Sequence, residues 1–152
     1  MKNHLLTIFL SLFISSITNA DETFKKLGSY DNVKASKTGH CYGTSISLWR
    51  VKKDKIIGLL DIHAGLCGDP PCSVVQGSIK NNIISFKTTM PIYNKLYSFS
   101  GNISNTQLSG SLNNTKSTFN ANPFPQPYKN IKSWCKAWVK VSRCSGVKTY
   151  CE

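Results

Sequence analysis

Residues 73–89 read SVVQGSIKNNIISFKTT, and this stretch decides the fold. Ser73 to Lys80 and Ile83 to Thr89 have the pattern of two strands. The pair Asn81-Asn82 between them favours a turn, because asparagine tolerates positive φ. The segment therefore predicts one β-hairpin with a short connection.

Further hairpins flank this one. Before it, Cys41 to Val51 alternates in hydrophobicity and Ile56 to His63 returns; after it, Leu96 to Ile103 pairs with Leu108 to Leu112. Glycines recur within these strands, where glycine often marks a sharp bend or a close backbone approach. Repeated hairpins with short turns are typical of a meander that curls toward a barrel. We predict a mainly β fold of about six strands: an antiparallel meander curved into a small barrel or half-barrel, with one C-terminal helix.

The C-terminal helix is predicted over residues 128–143, where periodicity alone is ambiguous. As a strand, alternate residues from Cys135 to Val141 would share one face. As a helix, the apolar and basic side chains separate into two sectors. Sixteen residues is long for a strand, and Pro127 and Gly146 suit a helix start and stop, so we favour the helix. Its basic sector consists of Lys132, Lys136, Lys140 and Arg143.

The first twenty residues are typical of a secretion signal. Lys2 supplies the positive charge, Leu5 to Ile17 the apolar run, and Thr18-Asn19-Ala20 the small or polar residues before a cut. The apolar run is shorter than the ~20 residues that a membrane span needs. We therefore expect a secreted or periplasmic monomer without a transmembrane segment after cleavage. The predicted domains are a signal peptide at 1–20, a polar leader at 21–38, and one disulfide-bonded domain at 39–152.

Six cysteines follow the signal, and in a secreted chain cysteines are more often bridges than metal ligands. No second metal-ligand pair completes a zinc site, so we predict neither a metal nor a cofactor. We predict that Cys67 pairs with Cys72 across the Gly-Asp-Pro-Pro turn. Three connectivities of the other four cysteines stay open. In each of them Cys41 pairs with Cys135, Cys144 or Cys151.

The charge of the chain is strongly positive, with 19 basic and 7 acidic residues. Removal of Lys2 with the signal leaves a net charge of +11. Such an imbalance is informative about partners and solubility rather than about the fold. Two interpretations stay open: a well-solvated surface and attraction to a polyanion. Lysine far outnumbers arginine, whereas bidentate contacts to bases and phosphates favour arginine. We therefore do not expect specific nucleic-acid binding.

Candidate site residues lie near the ends of the first two strands. Asp61 and His63 would point to the same side of a strand, and Asp69 follows in the adjoining loop. A histidine beside a carboxylate is the beginning of a catalytic pair, but the chain has no G-x-S-x-G elbow to supply a nucleophile. Trp49 and Arg50 could stack or bind an anion; the alternative is rim packing and solvent exposure.

Several short motifs carry a resemblance to known proteins. Cys41-Tyr42-Gly43, Leu48-Trp49-Arg50, Gly65-Leu66 and Gly68-Asp69-Pro70-Pro71 resemble motifs of a group of small exported bacterial proteins. The resemblance covers about residues 39–112, with a weaker echo in the C-terminal helix. It implies a β-rich exported protein, and it transfers no activity and no functional residue.

The function that we expect is that of a non-catalytic binding protein. Its partner would be an anionic envelope component or another protein. One alternative is an inhibitor or immunity protein against a secreted enzyme. The other is a small hydrolase-like enzyme that uses Asp61, His63 and Asp69.

Overall fold

A computed structural model describes residues 24–123 and 128–152 of the chain. The predicted signal peptide lies outside these residues. Within them, no helix combines the length and the apolar composition that a membrane span requires.

The described residues form ten strands and two α-helices. Two strands are short: β2 (Lys34–Ala35) pairs with β3, and β10 (Cys144–Ser145) pairs in parallel with β5. The helices are α1 (Ile131–Trp138) and α2 (Val147–Cys151). The other eight strands are β1 (Lys25–Asp31), β3 (His40–Arg50), β4 (Lys55–Leu66), β5 (Cys72–Lys80), β6 (Ile83–Met90), β7 (Lys95–Ile103), β8 (Gln107–Leu112) and β9 (Thr115–Ala121).

These eight strands form a closed barrel. From β3 to β9, each strand pairs antiparallel with the next along the chain, and β1 pairs with both β3 and β9. The predicted fold class, an antiparallel meander curved into a barrel with a C-terminal helix, is confirmed. The six predicted strands correspond to β3 through β8. The two that were not predicted, β1 and β9, are those that close the barrel.

Strand β1 lies in the segment that we expected to be a loosely packed leader, and this expectation is corrected. Its residues pair with β3 from Lys25 opposite Arg50 to Asp31 opposite Ser45. Tyr30 is 1% exposed inside the barrel, and its hydroxyl donates to the Ser104 carbonyl at 2.8 Å. The folded domain therefore begins at β1, before the predicted boundary at residue 39.

Strand β9 lies in residues 113–122, which we expected to be a polar linker. Asn113 and Asn114 have φ angles of 51° and 65°. Asn81 and Asn82 have φ angles of 50° and 62° in the predicted turn between β5 and β6. The two Asn-Asn pairs thus make the same kind of hairpin connection. Phe119 is fully buried, so one aromatic side chain anchors an otherwise polar strand in the barrel.

Two separate cores result from the alternation of side chains along the strands. The first fills the barrel and includes Ile46, Leu48 and Phe99. The second lies between the outer surface of the barrel and the two helices, where the Trp49 and Trp134 rings are 5.9 Å apart. Strand β3 therefore contributes to both cores, with Leu48 in the first and Trp49 in the second.

Glycines inside the barrel allow neighbouring strands to approach closely. A Cβ on Gly77 would lie 2.0 Å from the Ser85 carbonyl oxygen of β6. Gly101 and Gly110 stand directly opposite each other in β7 and β8, and there too a Cβ would collide with the backbone. This agrees with the expectation of a curved sheet with glycine at points of close approach.

All six cysteines form disulfides within the chain, but both predicted pairings are wrong. The bonds join Cys41 to Cys67, Cys72 to Cys144, and Cys135 to Cys151, with Cα–Cα distances of 4.9, 4.4 and 5.7 Å. Because β4 runs on to Leu66, opposite His40, Cys67 lies beside Cys41. Cys72 begins β5, where β10 places Cys144 opposite it.

The predicted C-terminal helix exists but is shorter than expected. Helix α1 begins after Asn130, whose side chain accepts from the Ser133 backbone amide at 2.9 Å. Pro127 lies outside the described residues. Gly146, expected to end this helix, has a φ of 81° and precedes α2. The last two basic residues of the predicted stripe, Lys140 and Arg143, therefore lie beyond α1.

Candidate functional site

A groove of about 270 Å³ lies on the outer surface of the barrel. Its floor is formed by the outward faces of β1, β3 and β4. Its walls are the loop at residues 68–70 and the segment that follows α1. The polar side chains that line this groove include Asp31, Ser45, Asp61, His63, Asp69 and Arg143.

Arg143 connects one wall of the groove to its floor. Its Nη1 atom donates to Asp61 Oδ1 at 2.9 Å and also contacts the Pro70 carbonyl. Its Nε atom is 3.7 Å from Asp69 Oδ1. The guanidinium group thus joins β4 to the β4–β5 loop. The sequence had predicted Arg143 on the basic face of the C-terminal helix instead.

Asp61 is a half-buried carboxylate under opposing influences. Burial raises its pKa above the usual value, while the hydrogen bond and charge of Arg143 and the nearby His63 act to lower it. Burial is the largest of these effects.

His63 shares the outward face of β4 with Asp61, as their spacing predicts. Its Nε2 atom is 3.1 Å from Ser45 Oγ in a hydrogen bond whose direction depends on the tautomer. Ser45 stands directly opposite Asp61 in the register of β3 and β4. Sequence reasoning missed Ser45, because only the register of the hairpin connects it to His63.

The carboxylates of this basic protein are concentrated in the groove. Asp31 accepts a hydrogen bond from Asn122 Nδ2 at 2.6 Å at one end. With Asp61 and Asp69 it makes three of the five acidic residues within the described part of the chain. Arg143 is the one lysine or arginine among the groove-lining residues described. The groove therefore carries the opposite sign of charge to the chain as a whole.

Hydroxyl groups and indole rings complete the groove. Ser47 Oγ donates to Ser29 Oγ at 3.0 Å across β3 and β1. Trp49 is 0% exposed beneath the groove, where it packs against Phe24 and Trp134. Its stacking partners are thus other residues of the protein, and Trp138 lies on the side of the groove.

The remaining predicted site residues lie elsewhere. Arg50 follows Trp49 but faces the inside of the barrel, as the alternation along β3 requires. Lys132, Lys136 and Lys140 are exposed and do not line the groove. The structure thus brings together Asp61, His63, Asp69 and Arg143, with Trp49 beneath them.

Among residues 24–123 and 128–152, no cluster of three or more His, Cys, Asp or Glu side chains is arranged to hold a metal ion. No protein-family model, curated protein or solved structure matches this chain. The resemblance to small exported bacterial proteins therefore stays a prediction.

Proposed function

We propose that this chain is an extracytoplasmic binding protein and that the groove holds its ligand. The observation that carries the proposal is the gathering of Asp31, Asp61 and Asp69 in one groove of a strongly basic chain. Three disulfides agree with a working place in an oxidising compartment.

The ligand is a small neutral or cationic molecule that bears hydroxyl or amino groups. The cavity of about 270 Å³ is near the lower end of the usual range for ligand pockets, about 300–1,000 Å³. Carboxylates accept hydrogen bonds from hydroxyl and ammonium groups. The excess of carboxylates over guanidinium groups disfavours an anion. A single amino sugar has this combination of size, hydroxyl groups and charge.

Titrations with glucosamine, glucose and glucuronate, followed by tryptophan fluorescence, test this proposal. The three probes share one ring and differ in charge. We expect glucosamine to bind at least as tightly as glucose, and glucuronate to bind weakest. Tightest binding of glucuronate, or binding of none of the three probes, would contradict the proposal.

A pair of variants locates the binding. Asp69→Asn removes a carboxylate that is 90% exposed at the groove, so the fold should tolerate the change. Asp54→Asn removes an equally charged, exposed carboxylate from the β3–β4 turn outside the groove. We expect only Asp69→Asn to weaken glucosamine binding. Equal weakening by both variants would indicate long-range charge rather than a site.

Under this proposal, the anionic envelope partner expected from the sequence would bind to a surface other than the groove. The groove has the wrong sign of charge for it, whereas exposed lysines such as Lys132 and Lys136 cover much of the remaining surface. We therefore assign any anionic envelope component or protein partner to the basic exterior. The alternative of an inhibitor or immunity protein stays a prediction.

A hydrolase is the second candidate function, because Ser45 Oγ lies 3.1 Å from His63 Nε2 in a concave site. This pair supplies the nucleophile and base that the sequence had not connected. Against it, Asp61 is hydrogen-bonded to Arg143, and the interactions found among the described residues include no carboxylate bond to the other ring nitrogen of His63.

Labelling with a fluorophosphonate probe separates the two functions. A hydrolase would be labelled at Ser45, and labelling would be lost in Ser45→Ala but kept in Ser47→Ala. We expect no labelling that depends on Ser45, as a binding protein requires.

A further inference from the structure

The barrel has a second polar cavity, inside one of its ends. Side chains of β3 alternate, so Ile46 and Leu48 point into the barrel and Trp49 points out. Arg50, the last residue of β3, therefore points into the barrel at its end. Its Nε atom is buried and has no hydrogen-bond partner in the part of the chain that the structure describes.

The cavity at Arg50 has a volume of about 310 Å³. We call it the barrel mouth. No carboxylate lines it among the described residues, and none of their ion pairs involves Arg50. Apolar side chains of the barrel interior form its base, and the turns after β5 and β7 bring polar residues to its rim. The residues that line it with Arg50 are Leu27, Ile79, Asn82, Ile103, Ser104 and Asn105.

A buried guanidinium nitrogen without a partner destabilises the folded protein, because its desolvation is not compensated. An oxyanion in the barrel mouth would remove this penalty. We propose that the barrel mouth binds an oxyanion group, of the phosphate, sulfate or carboxylate type, through Arg50. The planar guanidinium presents parallel donors that match such groups, and the amides of Asn82 and Asn105 on the rim supply further donors.

The surroundings of the barrel mouth favour the same charge. Lys25 stands opposite Arg50 in the register of β1 and β3. Lys55 begins β4 and Lys80 ends β5 at the same end of the barrel. These three lysines outnumber the carboxylate of Asp54, whose backbone carbonyl accepts from the Ile79 amide at this end of the barrel, and an excess of positive charge raises the local concentration of anions. The apolar base of Leu27, Ile79 and Ile103 would accept a short alkyl part of the ligand.

The barrel mouth is independent of the groove. Trp49 and Arg50 are neighbours in the chain but lie on opposite faces of β3, and the two cavities share no lining residue. They also differ in charge, since carboxylates line one and not the other. Failure of the groove as a ligand site would leave this inference unaffected.

Binding of inorganic phosphate and hexyl phosphate to the disulfide-bonded chain tests the proposal. NMR follows the Arg50 Nε–Hε signal in the wild type, and the amide signals of Asn82 and Asn105, which line the same cavity, in the wild type and in every variant. We expect both probes to shift these signals, with hexyl phosphate binding tighter. In Arg50→Gln, affinity should fall by about tenfold or more, the loss of one charge-assisted hydrogen bond. Lys53→Gln removes an exposed charge from the adjoining turn and should weaken binding less than about threefold by screening.

Three results would overturn the proposal. They are no shift of the Arg50 signal at millimolar concentrations of either probe, equal loss of affinity in both variants, and shifts of the Asn82 and Asn105 signals that stay undiminished in Arg50→Gln. Vesicles of neutral lipid with and without a phosphate-headed anionic lipid distinguish the source of the oxyanion. Binding that needs the vesicle identifies a lipid headgroup, and binding of free hexyl phosphate alone identifies a soluble ligand.

Thermal unfolding supplies a readout that does not depend on the NMR assignment. Without ligand, Arg50→Met should unfold at the same or a higher temperature than the wild-type chain, because it removes a buried unpaired nitrogen. Phosphate should raise the unfolding temperature of the wild type more than that of Arg50→Met, which reports only the general stabilisation by this salt. Equal stabilisation of the two proteins would count against the site.

Discussion

Arg143 is the single residue on which the groove most depends. It comes from the segment after α1 and reaches Asp61 on β4 and the carbonyl of Pro70 in the next loop. Three separate parts of the chain therefore meet at one guanidinium group. This role of Arg143 could not be predicted from the sequence, because the position of the side chain depends on where α1 ends.

Replacement of Arg143 should destabilise the fold. In Arg143→Gln, the carboxylate of Asp61, 18% exposed, would lose its charged partner. We expect a loss of about 2 kcal/mol in the free energy of unfolding, less than for a fully buried pair. The double variant with Asp61→Asn should recover part of this loss. Urea denaturation measures both.

The pair of Lys148 and Glu152 provides the matched control for Arg143. These side chains are 3.6 Å apart, and both are mostly exposed. Lys148→Gln should therefore change the free energy of unfolding by less than about 0.5 kcal/mol. Similar effects of the two variants would contradict the role given to Arg143.

The raised pKa of Asp61 makes a prediction about pH. Burial raises the pKa of Asp61 in the folded chain above its value in the unfolded chain, so the folded state binds this proton more tightly. The protonated carboxyl therefore adds its full contribution to the free energy of unfolding below the unfolded pKa of about 4. This contribution is lost as pH rises through the raised, folded pKa. Wild type should lose stability relative to Asp61→Asn over this interval, measured by urea denaturation. Asp54→Asn is the control, and a difference that grows with pH in favour of wild type would contradict the prediction.

At the scale of the element, a strand could be predicted where its apolar residues alternate regularly with polar ones. Strands β1 and β9 lack this alternation and could not be predicted. Strands β5 and β6 follow the alternation rule on either side of Asn81-Asn82. In β1, a bulge between Lys26 and Gly28 turns both Leu27 and Tyr30 toward the core although they are three residues apart. In β9, Phe119 is the only large apolar side chain, so burial on one face leaves little pattern in the sequence.

The same reasoning explains how much of the groove could be predicted. Asp61 and His63 share a face because strand side chains alternate, which needs no knowledge of pairing. Ser45 requires the register of β3 against β4. Arg143 requires the end of α1, and Asp31 requires β1 itself. Local rules thus identified the residues on β4, while those contributed by other elements depended on tertiary structure.

The disulfides differ in the length of chain that they close. Cys72–Cys144 has a sequence separation of 72 and Cys135–Cys151 one of 16. By the chain-entropy relation, loops of these lengths correspond to about 4 and about 3 kcal/mol. We expect paired Cys→Ala substitutions to follow this order in urea denaturation. Greater destabilisation from loss of Cys135–Cys151 would contradict it.

At the scale of the whole molecule, negative and positive charges lie on different surfaces. Acidic side chains gather in the groove, and lysines cover the outside of the barrel and of α1. A protein of this kind can attract a polyanion to its exterior while its groove attracts molecules of the opposite sign.

Replacement of Lys132, Lys136 and Lys140 with Gln should reduce retention on heparin and leave the fold intact, because exposed lysines act chiefly as screened charges. The matched control replaces Lys34, Lys37 and Lys116, which are also exposed. Salt gradients on a heparin column measure the difference. Equal losses in the two triple variants would show that net charge, and not this stripe, determines retention.

The pairing of β1 with β9 also decides when the molecule can finish folding. Tyr30 stands opposite Ala121, so the first and last strands of the barrel must meet. A chain that emerges N-terminal end first, from a ribosome or a translocation channel, presents β1 long before β9. Until β9 arrives, the sheet has two free edges that can pair with a neighbouring chain. The two open edges are therefore the parts of the unfinished barrel at which pairing with a neighbouring chain competes with closure.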